Sequence, residues 1–179
     1  MLKPLSLIAA LAILSSGPAH AAQNAWLENG KSGPEDPSRA SDGTFGIMLV
    51  FTDDWDGFTQ RWQHPSPGFD VPEVGSIQKG HPLISAIIFS GCRTDQTGKC
   101  SVTGDFRAID PNGKTYAEQK GVNIWSLPPP PAPQLELSAG GFGLSLDPPD
   151  PLGTYTVIAR ITDHVANKTL EARTTFLAK

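Results

Sequence analysis

The chain has 179 residues, with 14 Lys and Arg against 18 Asp and Glu, and a formal net charge of −4 at pH 7. This mild acidity, without any basic run, excludes a surface that tracks phosphates, so nucleic acid is not an expected partner. The length suits one domain with a real core.

Met1, Leu2 and Lys3 open with one positive charge, and Leu5 to Leu14 is apolar apart from Ser6. That is the pattern of a secretory signal, too short to span a bilayer. Gly17 and Pro18 break the segment, and Ala19, His20 and Ala21 supply the small residues of a cleavage point before Ala22. Residues 1–21 are therefore expected to be removed, leaving 158 of the 179 residues outside the cytoplasm, with no membrane span in the mature chain. Residues 22–43 are rich in Asn, Gly, Ser, Pro and Asp, carry no period, and read as an exposed N-terminal arm. The remainder, 44–179, reads as one domain.

Phe45 to Phe51 is a short apolar run bounded by turn residues, which predicts a buried strand. Thr52 to His81 follows with irregular Pro and Gly, and reads as a long connection holding Trp55, Phe58, Trp62 and Phe69. These rings, with Asp54, Asp56 and neighbouring glutamines, are the candidate binding residues. They suit a protein hot spot, a sugar-stacking platform, or a lid folded over an open sheet end.

From Leu83 the pattern is consistently β. Leu83 to Gly91 is apolar, and Ser101 to Asp110 alternates, with Val102, Phe106 and Ala108 on one face. Asp110, Pro111, Asn112 and Gly113 have the chemistry of a tight turn. Cys92 and Cys100 lie across a short turn-forming stretch. In an oxidising compartment a disulfide stapling that hairpin is expected, because two thiols at this spacing suit neither a redox centre nor zinc.

Pro128 to Pro131 cannot enter a ladder and predict an extended connector between strands, with a recognition motif as the alternative. Gln134 to Leu137 and Gly141 to Leu146 offer short strands. Tyr155, Val157, Ala159 and Ile161 alternate with polar residues, and Leu170, Ala172, Thr174 and Phe176 return after a polar turn, predicting a final hairpin. Tyr155, just after Gly153 and Thr154, stands where a tyrosine hydroxyl can reach upstream backbone.

The strand grammar of Lys79 and Gly80 through Phe89, the Asp110 to Lys114 turn, and Pro151 to Val157 leading into the final hairpin resembles bacterial immunoglobulin-like or fibronectin-type sandwiches. The resemblance covers about the last hundred residues and concerns the fold. It implies an all-β fold, a single antiparallel immunoglobulin-like β-sandwich of about seven or eight strands. Both cysteines fall within one expected hairpin, which departs from the inter-sheet bridge of antibody domains.

No G-x-S-x-G, H-E-x-x-H, C-x-x-C or phosphate-binding glycine loop is present. The scattered histidines His64, His81 and His164 show no ligand spacing. Asp53, Asp54, Asp56 and Gly57 invite comparison with a calcium loop, but Thr52 and Gln63 then occupy its first and last ligand positions, so a solvated turn is expected. No catalytic residue, metal site or cofactor is expected. The reading is an exported, non-enzymatic accessory protein that binds an envelope or secreted protein through the aromatic loop or a sheet edge. The alternatives are a carbohydrate- or peptidoglycan-binding module and a periplasmic metal-binding protein.

Overall fold

The computed structural model describes residues 27–28, 31–32, 36–65, 70–131 and 134–179; the expected signal segment 1–21 and Phe69 lie outside the described residues. In chain order the elements are β1 (Leu27–Glu28), β2 (Lys31–Ser32), β3 (Arg39–Ser41), β4 (Gly46–Thr52), α1 (Trp55–Gln63), β5 (Ser76–Ile77), β6 (Pro82–Ser90), β7 (Val102–Ile109), β8 (Thr115–Trp125), β9 (Glu136–Leu137), β10 (Phe142–Ser145), β11 (Gly153–Asp163) and β12 (Lys168–Ala178). The described residues are mostly β, in two five-stranded sheets and a small β1-β2 pair.

The first sheet runs β10-β6-β4-β3, with β9 also on β6, and the second runs β5-β12-β11-β7-β8. Ten strands therefore replace the seven or eight expected, and β5 lies parallel to β12, so the pairing is mixed. The strands that were not expected are β3 and β5, of three and two residues, while β9 falls within the short strand expected over Gln134 to Leu137. Such short pieces show no side-chain alternation and are defined by backbone pairing to a neighbour. Arg39–Ser41 belongs to the residues read as an arm, yet it pairs with Gly46–Met48 as the sheet edge.

The two sheets pack over a core shared by Leu49, Ile87 and Phe142 on one side and Phe106, Val157 and Phe176 on the other. Phe106 stacks on Phe142 at 5.7 Å, and Phe51 meets Phe176 edge-on at 5.6 Å. The first sheet is also covered on its outer face. There Met48, Val50, Ala86, Ile88 and Leu137 pack against Phe58 of α1. Burial on both faces explains why β4 and β6 read as continuous apolar runs without alternation.

The second sheet has one dry face, and its strands alternate as expected. Tyr155, Val157, Ala159 and Ile161 are buried. β11 and β12 stay in register from Gly153↔Ala178 to Asp163↔Lys168. Tyr155 Oη donates to the Pro151 carbonyl at 3.0 Å, the upstream reach anticipated for this tyrosine. At the Asp110 turn, the Gly113 N–H donates to the Asp110 carbonyl at 3.0 Å, and Gly113 has φ 79°, which glycine adopts without strain. The Asp110 carboxylate accepts from Lys114 N, which holds its pKa below the ordinary value.

Cys92 and Cys100 are disulfide-bonded, with Cα atoms 6.0 Å apart. The bridge does not staple a hairpin of paired strands, because β6 and β7 belong to different sheets. It closes the crossover between sheets, where a local turn at Asp95–Lys99 only resembles a hairpin. Pro128–Pro131 follows β8 of the second sheet and leads toward β9 of the first, as a connector should. Trp125 Nε1 anchors its start by donating to the Pro128 carbonyl at 2.9 Å.

One core position is at odds with its neighbours. Ser85 is fully buried, in phase with Leu83, Ile87 and Phe89 on β6, and its hydroxyl has no hydrogen-bond partner among the described residues. Ser85→Ala removes that unmet group at nearly constant volume and is expected to raise the unfolding free energy by about 1 kcal/mol. Urea unfolding of the two proteins measures it, and a destabilised alanine variant would show that the hydroxyl is satisfied.

Candidate functional site

The segment read as a long aromatic connection contains a helix, α1, and the correction has a local cause. Trp55, Phe58 and Trp62 are spaced i, i+3, i+7, which puts all three on one helical face. Asp54 is the N-cap, its Oδ1 accepting from Gly57 N at 2.9 Å. A Cβ on Gly57 would collide with the Asp54 carboxylate, so glycine is what lets the cap close. Phe58 is wholly buried against the outer face of the first sheet, and Trp55 and Trp62 are half-buried beside it. Phe58 and Trp62 meet edge-on at 6.1 Å.

The candidate residues thus separate. Trp55 and Phe58 anchor the helix. Asp54 caps it and also accepts from Arg61 Nη1 at 3.4 Å, while Asp56 is exposed in the first turn. Phe69 lies outside the described residues. No group of three His, Cys, Asp or Glu able to hold a metal occurs among the described residues, so the Asp53–Asp56 carboxylates and the histidines do not converge in that way.

Trp62 does line a groove, together with Gln63, Pro65, Gln134, Leu135 and Glu136, and its volume is about 500 Å³. Two segments far apart in sequence form its walls. Trp62 Nε1 donates to Glu136 Oε1 at 3.2 Å, and the same oxygen accepts Leu137 N at 3.0 Å. Leu135 stands 39% exposed at the rim. Sequence reasoning placed Gln134 to Leu137 in a strand and did not see this function for them, since nothing local to 134–136 signals proximity to Trp62.

The groove lies at the C-terminal end of α1, where backbone carbonyls are left without helical donors and carry partial negative charge. The Arg61 carbonyl would look to residue 65, but Pro65 has no N–H. Glu136 adds a half-buried carboxylate. Among the described residues no Lys or Arg lines the groove, and residues 64–70 and 131–137 contain none. The nearest cation on the helix, Arg61, reaches back to Asp54 at the opposite end. The groove is therefore an aromatic site of negative potential.

Two other surfaces are less suited to a ligand. A cleft of about 680 Å³ opens between residues 36–39 and 71–75, but among its charges Arg39 pairs with Asp36 at 3.3 Å, and Arg173 pairs with Glu171 at 3.3 Å. The edge strand β8 is interrupted by three register shifts against β7 and bears the Lys120–Glu118 pair at 3.1 Å. Bulges and charges of this kind hinder strand addition.

No protein-family model matches the chain, and no curated protein matches it. It is similar to a solved structure of a family 123 glycoside hydrolase from Clostridium perfringens, described for glycolipid glycan hydrolysis, at 13% identity and a TM-score of 0.36. The likeness covers 74% of this chain but 27% of that one, so the chain spans about a quarter of the enzyme's length. That neighbour is an enzyme, which stands against the expectation of a non-enzymatic protein, and the expectation is withdrawn. A likeness this slight carries neither the hydrolase's activity nor its substrate across to this chain.

Proposed function

We propose that this chain is an exported protein of the cell envelope or secreted space that binds another protein through the groove between the C-terminal end of α1 and residues 134–136. The observation that carries the reading is Trp62, half-buried in the wall of a concave site with Gln63, Gln134 and Glu136 around it and Leu135 at its rim. A tryptophan in a partly desolvated recess with a polar rim is the chemistry of an interface hot spot. Export is supported by the pattern of residues 1–21 and by the disulfide. An immunoglobulin-like relationship is supported by the two packed sheets and the Tyr155 bond to Pro151.

The test places a photo-crosslinking benzoylphenylalanine at Leu135 and, as a control, at Thr94 on the exposed disulfide loop, in the protein's own envelope. A discrete protein adduct from position 135 alone supports the reading, and no adduct, or the same adduct from both positions, overturns it. A second reading, a neutral saccharide, is favoured by the Gln63 and Gln134 amides beside Trp62. Glycan recovered without protein from position 135 would favour it.

A further inference from the structure

We infer that the groove receives an arginine side chain of the partner, a step that rests on the protein-binding reading. Three features converge there, and each favours a cation. The terminal carbonyls of α1 present the negative end of the helix. Glu136 holds a half-buried carboxylate that accepts from Trp62 Nε1 at 3.2 Å and Leu137 N at 3.0 Å, both neutral donors, and among the described residues no ion pair reaches it. Trp62 supplies an indole against which a cation can stack.

A cation entering the groove would meet both the Glu136 carboxylate and the C-terminal end of α1, each of which favours positive charge. Among the described residues no Lys or Arg lines the groove, and the flanking residues 64–70 and 131–137 contain none, so the cation is sought in the partner. A sugar would use the amides but leave the charge uncompensated. An acidic ligand would be repelled outright. Arginine fits better than lysine, because a planar guanidinium can stack on an indole while its fork donates both to a carboxylate and to backbone carbonyls. Gln63 and Gln134 are then placed to bond the main chain on either side of that residue.

The probe is the blocked tripeptide acetyl-Gly-Arg-Gly-amide, titrated into the disulfide-bonded mature protein while the Trp62 indole N–H is followed by NMR. Its control is the citrulline analogue, which keeps the shape and loses the charge. The arginine peptide is expected to shift the resonance saturably and to bind at least about tenfold more tightly than the citrulline peptide. Glu136→Gln keeps an oxygen for Trp62 and Leu137, so it should leave the fold intact and abolish that preference. Equal binding of the two peptides, binding of neither, or a preference that survives Glu136→Gln overturns the inference. A protein adduct at Leu135 that is undiminished in Glu136→Gln would also overturn it while leaving the protein-binding reading in place. Arginine binding with no adduct does the reverse.

Discussion

Replacing Phe58 by alanine is expected to lower the unfolding free energy by about 3 to 5 kcal/mol and to release α1 from the sheet. Phe58 is 0% exposed, and it is the wholly buried residue of the helix, set among Met48, Val50, Ala86, Ile88 and Leu137. The helix has nine residues, fewer than an isolated helix needs in water, and Gly57 weakens it by about 1 kcal/mol relative to alanine. Its helicity therefore depends on docking rather than on propensity. Urea unfolding should show the loss of stability, and the emission of Trp55 and Trp62 should move to the red as their environment becomes wet. The groove should be lost with the helix, since Trp62 is held over Glu136 only while α1 is seated. A variant within about 1 kcal/mol of the parent, with unchanged emission, would show that the helix is held by something other than this ring.

The second large effect is expected at Asp163, a fully buried carboxylate at the end of β11. Its Oδ2 accepts Arg93 N at 2.7 Å, while Oδ1 accepts Val165 N at 3.0 Å and Ala166 N at 3.1 Å. One side chain thereby shapes the final turn and ties it to the residue beside Cys92. Asp163→Ala leaves three backbone donors without their acceptor, two of them half-buried, and a loss of about 3 kcal/mol is expected. Asp163→Asn retains one oxygen and should recover part of it. Calorimetric unfolding gives the energies, and faster amide exchange at Arg93, Val165 and Ala166 would localise the damage. Unchanged exchange at these three amides would sink the account.

Local patterning was sufficient for those parts of the fold whose side chains repeat with their own backbone. The Tyr155–Ile161 alternation, the Asp110–Gly113 turn and the reach of Tyr155 to Pro151 each depend on residues within a few positions of one another. The buried strand at Gly46–Thr52 was legible for the same reason. The helix was missed, although Asp54 as a cap and the Trp55, Phe58 and Trp62 stripe are its local signals. Gly57 and the prolines after His64 masked it, because both are usual marks of a loop.

What the tertiary structure alone decided was which separated segments meet. Short strands such as β3 and β5 carry no period and exist through pairing with β4 and β12. The Cys92–Cys100 spacing was compatible with a hairpin, and only the assignment of β6 and β7 to different sheets turned it into a clasp on a crossover. The groove is the clearest case, since Trp62 and Glu136 lie 74 positions apart. Its acidic character comes from a helix end and a carboxylate on separate segments, and electrostatic terms add by distance in space rather than along the chain.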